Sequence, residues 1–194
     1  MIESKIKNEL FKRFEKLEKS LSNNNFPNQK SYLSTIKISL AKLLTSKKGD
    51  EDFEKILNEA FLSYRCLDGM HFESNNAEYE ITKLWQSLRS ILGIFIDFRD
   101  EYYADKNKFL ESLFYRVLSK LRQNHLFDFS GKLLEIRSQI AELPLAPENV
   151  GTIKSLLKEI NLQGVISGVE GELINFMWTL IHDVLDEVNH YKAI

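Results

Sequence analysis

Two sets of residues have the types and spacing to do chemistry. Arg65 and His71 form an R-x5-H arrangement. A histidine can move a proton near neutral pH, and a guanidinium can hold the charge that develops on a phosphorane. Further along, Glu187 and His190 form E-x-x-H, with Asp183 one turn earlier. Residues three or four apart share a helix face, so this set could offer ligands to a metal. A di-metal site of the bundle type needs a second E-x-x-H, and none occurs. Both sets also have a plain structural reading. Arg65 reads as an arginine snorkelling at a helix terminus and His71 as a loop histidine. Glu187, His190 and Asp183 read as the polar shoulder of an apolar helix. His182 and Asp186, at i and i+4, are expected to form a surface ion pair.

The Arg65/His71 spacing resembles the catalytic signature of the helical HEPN-type ribonucleases. The resemblance covers those two residues. It implies an arginine and a histidine meeting at a dimer interface and cleaving RNA without a metal. This chain departs from the family pattern, which keeps the pair near the start of a helix. Here Asp68 and Gly69 stand between the two, where a helix is expected to end.

Other catalytic signatures are missing. There is no G-x-x-x-x-G-K-[ST] or G-x-G-x-x-G phosphate cradle, no G-x-S-x-G elbow and no C-x-x-C. The single cysteine, Cys66, has no partner for an internal disulfide and reads as a small buried hydrophobe. No cofactor and no metal are expected.

The elements that would position any site are helices. Among 194 residues only eight are glycine and three proline, too few for many short strands and tight turns. Ile2, Ile6, Leu10, Phe14, Leu17 and Leu21 recur at steps of three and four, the stripe of an amphipathic helix. The polar run SNNNFPNQ breaks it. A second helix is expected from Ser31 with Leu33, Ile36, Leu40, Leu43 and Leu44, and a third with Phe53, Ile56, Leu57, Ala60, Phe61 and Tyr64. A fourth carries Ile81, Leu84, Trp85, Leu88, Ile91, Leu92 and Phe95. Asp105 or Asn107 is expected to cap the fifth, with Phe109 to Leu121 inside. Ser130 is expected to open the sixth, which Pro144 ends, and Thr152 to cap a short seventh. Gly164 and Gly168 precede a last helix with Leu173, Met177, Leu180, Ile181, Val184, Val188 and Tyr191. The expectation is an all-α, single-domain bundle of seven or eight helices spanning residues 1–194. The most apolar run, Ile91 to Phe98, is far shorter than the ~20 residues of a membrane span. The first residues, MIESKIKNELFKRFEK, contain no apolar signal segment. No membrane and a cytoplasmic location are expected.

Charge is distributed in blocks. Up to Lys48 there are eleven Lys/Arg against four Glu, whereas Asp50 to Glu101 holds twelve acidic residues against five basic. The basic block could grip a nucleic-acid backbone. Yet Arg13 is its only arginine, and its cations alternate with glutamates at helical spacing. That pattern suits an exposed helix face with internal pairs. The leading reading is therefore a non-catalytic protein-interaction domain, such as an adaptor, a regulator or a toxin-neutralising protein. A metal-independent nuclease and a nucleic-acid-binding regulator are the rivals, and the oligomeric state is left open. Aromatic residues fall where no helical stripe requires them: Phe72, Tyr102, Tyr103, Phe127 and Phe129. Loops carry such rings on the surface, where they anchor partners. The expected partner-binding patch is Tyr102 and Tyr103 with the carboxylates Asp97, Asp100 and Glu101, which would steer a basic partner.

Overall fold

The stripe Ile2, Ile6, Leu10, Phe14, Leu17 and Leu21 is buried along its whole length, on a helix α1 that runs Ile2–Asn23. The computed structural model describes residues 2–24, 26, 30–31, 33–34, 37–38, 41, 76–162 and 164–190, the side chains of 76–78 and 190 excepted. The expected third helix lies outside the described residues, as do Arg65, Cys66, His71, Phe72 and most of the expected second helix. Described residues among 30–41 are helical, with Leu33 buried. Five further helices follow: α2 (Asn76–Asp97), α3 (Lys106–Gln123), α4 (Phe127–Ala141), α5 (Pro147–Leu157) and α6 (Gly168–His190). A π-helical turn, Phe98–Tyr102, links α2 to α3. The described residues are mostly helical and hold no strand. None of their helices is long and apolar enough to cross a membrane.

The chain divides into two compact units, one holding Glu3–Phe95 and the other Ile96–Ile194. In the first, α1 shows why a strongly charged sequence still makes a stable helix. Its cations are taken up at helical spacing: Lys7 by Glu3 (2.6 Å), Lys12 by Glu9 (3.5 Å) and Arg13 Nε by Glu9 (2.7 Å). Arg13 itself is buried, on the apolar side of the helix. Glu18 accepts from Lys37 Nζ at 2.9 Å and from the Ser34 hydroxyl at 3.2 Å, tying α1 to the helical residues that follow it.

In the second unit α3 is the hub, packing on α4, on α6 and on the π-helical turn. Its buried residues Phe109, Leu110, Leu113, Phe114, Val117, Leu118 and Leu121 fill a wide stripe, the a/d/e pattern of a core helix. Asp105 caps it, its Oδ1 accepting from the backbone N–H of Asn107 (2.9 Å) and Lys108 (3.4 Å). Helix α6 buries Leu173, Met177, Leu180, Ile181, Val184 and Val188 as the periodicity predicts, and packs on α3 and α5. Cross-helix ion pairs join Arg137 to Glu111, Lys154 to Asp186 and Lys120 to Glu170, and Lys132 pairs with Glu159 in the turn after α5.

Two helix starts differ from the sequence expectation. Helix α4 opens at Phe127 and not at Ser130, so Phe127 and Phe129 are helical residues and not loop rings. The cause is the α3 C-terminus, a Schellman closure. His125 at φ 59° donates to Arg122 O (3.0 Å), and Leu126 donates to Leu121 O (2.9 Å). The chain turns there in three residues, Asn124 to Leu126, and re-enters a helix at once. Helix α5 opens on Pro147 at its first turn, with Ala146 at the cap, leaving Thr152 inside the helix.

Candidate interaction site

The π-helical turn holds the five residues expected to form a partner patch, or borders them. A π turn accommodates one residue more than an α turn and is frequent at functional sites. Here it stacks Phe98 on Tyr102, with ring centroids 4.6 Å apart and planes at 23°. Phe109 of α3 meets both rings edge-on at 5.5 Å. The Tyr102 hydroxyl donates to Glu187 Oε2 of α6, and Lys106 Nζ lies 5.2 Å from the Tyr102 ring centroid. Beyond the turn, the N–H groups of Ala104 (3.0 Å) and Asp105 (2.6 Å) both donate to Glu101 O and close the corner.

The two tyrosines therefore part company. Tyr102 is only 4% exposed, a core ring whose one polar atom is bonded, and this corrects the expectation that it stands on the surface. Tyr103 is 75% exposed, resting edge-on against Phe98 and Tyr102. The carboxylates separate in the same way. Asp97 is half-buried and structural: its Oδ2 accepts from Arg116 Nη2 (2.7 Å) and Nε (3.1 Å), and from the Ser112 hydroxyl. Asp100 is exposed and Glu101 half-buried. What the corner presents is Tyr103 with Asp100 and Glu101, on a base fastened from beneath by Tyr102–Glu187 and Asp97–Arg116. A ring held on so rigid a support loses little conformational freedom on binding, which is what favours tyrosine as an interface anchor.

The other candidates fare differently. Glu187, half of the E-x-x-H set, is engaged by Tyr102, and Asp183 is half-buried. Among the described residues no group of three or more His, Cys, Asp and Glu could hold a metal ion. The expected His182–Asp186 pair does not form, because Lys154 of α5 takes Asp186. His182 instead stands edge-on to Trp178 at 5.7 Å. Burial, with Lys154 second, holds its imidazole below the ordinary histidine range, against the opposing pull of Asp186 and Asp183. In the basic block, Lys7, Lys12, Arg13 and Lys37 are each paired with a glutamate. No family model, curated protein or solved structure matches the chain, so the functional reading rests on these side chains and their geometry.

Proposed function

We propose that this chain is a non-catalytic α-helical protein-interaction domain, an adaptor, regulator or toxin-neutralising protein acting in the cytoplasm. With the periodic segments at 33–44 and 53–64 counted, the reading is one domain of seven or eight helices. The observation that carries it is Tyr103: a ring 75% exposed on a corner whose neighbouring rings are locked into the core. Large exposed rings beside carboxylates are the side-chain combination by which basic protein surfaces are recognised. The internal pairing of Lys7, Lys12, Arg13 and Lys37 lowers the charge the first helix can offer to a phosphate backbone, which weighs against nucleic acid.

The test is capture from the native cell with the full chain as bait, comparing wild type with a Tyr103→Ala, Asp100→Lys, Glu101→Lys variant. The expected result is that a specific protein is lost from the variant's captured set while its melting temperature stays near wild type. Identical captured sets would remove the corner as a binding site.

A further inference from the structure

A second surface, on α4, has a chemistry of its own. Seven residues turn a helix through just under two full turns, so positions i, i+7 and i+14 stay in one row. Phe127, Leu134 and Ala141 make one such row, and all three are exposed, Phe127 by 62% and Leu134 by 40%. Asp128, Glu135 and Glu142 make a parallel row about 100° around the helix, also exposed. Gly131 and Ser138 lie between the rows, and at Gly131 nothing approaches within 4 Å of where a Cβ would stand. The face therefore has an apolar edge, a shallow middle that allows close approach, and an acidic edge.

The acidic edge is not neutralised by its own helix. The cations of α4, Lys132 and Arg137, are bound to Glu159 and Glu111. Asp128, Glu135 and Glu142 have no ion partner among the described residues. The rows also lead somewhere. Ala141 and Glu142 help line a cleft of about 390 Å3 whose inner wall includes the buried Leu110, Phe114, Ile140 and Ile153. That volume falls within the roughly 300–1,000 Å3 of ligand pockets. At the other end the exposed His125 ring lies edge-on to Phe127 at 5.9 Å.

We infer that this face of α4 docks an amphipathic, basic α-helix of a partner protein. The partner's apolar row would lie on Phe127, Leu134 and Ala141, and its lysines or arginines on Asp128, Glu135 and Glu142. One large apolar side chain would enter the cleft. This is helix-in-groove recognition, with anchors at helical spacing. A second copy of this chain does not fit. An antiparallel two-fold pair sets each acidic row against its own copy, and a parallel pair sets each acidic row against the other's apolar row. The inference shares with the proposed function the premise of a protein-interaction domain, but it rests on a different surface.

The test uses the full chain and two synthetic helical peptides about 18 residues long, or about five turns. One carries a leucine row beside a lysine row at seven-residue spacing, and the other has glutamate for each lysine. Binding is read by fluorescence anisotropy at several salt concentrations. The lysine peptide binds, more weakly as salt rises. Asp128→Lys with Glu135→Lys and Glu142→Lys weakens it by about tenfold or more and lets the glutamate peptide bind. Leu134→Asp also weakens the lysine peptide. These residues are exposed, so the variants melt within a few degrees of wild type. No binding of the lysine peptide, or binding that the triple reversal leaves unchanged, overturns the inference. If the Tyr103→Ala, Asp100→Lys, Glu101→Lys variant alone abolishes binding, the peptide sits on the π-helical corner and the α4 face is refuted while the corner stands. If sedimentation shows a dimer that Leu134→Asp dissociates, the face is a self-interface and the inference fails.

Discussion

Alanine at Tyr102 and at Tyr103, introduced separately, should have consequences of very different size although the two are adjacent in sequence. The Tyr102 ring is 4% exposed and packs against Phe98 and Phe109. Truncating a buried ring to alanine costs about 3–5 kcal/mol, from lost transfer energy and the cavity left behind. Within that sum, the hydroxyl's bond to a carboxylate contributes about 1.5–3 kcal/mol. Tyr102→Phe isolates it, since the ring stays and only the donor to Glu187 is lost. For a chain of this size each kcal/mol moves the melting temperature by about 2–4 °C, so Tyr102→Ala should lower it by about 6–20 °C. Tyr103 makes edge contacts at 5.4 and 5.6 Å but remains mostly in water. Its removal should cost less than about 1 kcal/mol. Thermal unfolding followed by far-ultraviolet circular dichroism measures all three. If Tyr103→Ala is as damaging as Tyr102→Ala, or if Tyr102→Ala is silent, the division of the corner into a buried base and an exposed ring is wrong.

Two further outcomes follow from particular atoms. A Cβ at Gly171 would lie 2.0 Å from the Ile166 carbonyl oxygen, a backbone atom with little room to yield, whereas Gly131 and Gly151 have nothing within 4 Å. Gly131→Ala and Gly151→Ala should therefore stabilise by about 0.5–1 kcal/mol through helix propensity. Gly171→Ala should destabilise by about 1–3 kcal/mol, and urea titration that gives all three the same sign would refute the close approach. The depressed His182 affinity for protons has a definite linkage sign. The unfolded chain binds the proton more readily than the folded one. The stability tied to the neutral imidazole is thus present above the unfolded value of about 6.5 and is lost as pH falls below it. His182→Gln should flatten the fall in stability between about pH 7 and pH 5, and parallel curves for wild type and variant would show that burial of His182 plays no part.

Among the described residues helical periodicity carried most of the helices into view, because a two-sided helix must bury one row whatever its partners are. The α1 row from Ile2 to Leu21 and the α6 row from Leu173 to Val188 needed nothing beyond spacing. The Asp105 cap was equally visible, since a carboxylate at that position satisfies N–H groups the helix leaves open. Helix starts without a side-chain cap were not. Leu126 precedes α4 with no capping hydrogen bond, and the turn before it is held by His125 in a conformation usually left to glycine. No residue type announces that geometry.

Tyr102, in contrast, had left a signal. Leu84, Ile91 and Phe98 stand seven apart, and so do Leu88, Phe95 and Tyr102, so the buried stripe of α2 continues through the charged run Arg99-Asp100-Glu101. Those three residues are charged, yet a helix needs only one face apolar, and Phe98 and Tyr102 supply it. The α4 surface is the harder case. Read alone, Asp128, Lys132, Glu135, Arg137 and Glu142 are a helix of nearly balanced charge. Glu111 and Glu159 take the two cations, and these lie 26 and 27 positions from Arg137 and Lys132 in the chain. Tertiary pairing thus converts a neutral-looking helix into one with an acidic row, and spacing within the helix cannot express that. The charge a surface offers to a partner is set by which of its ions the rest of the fold has already claimed.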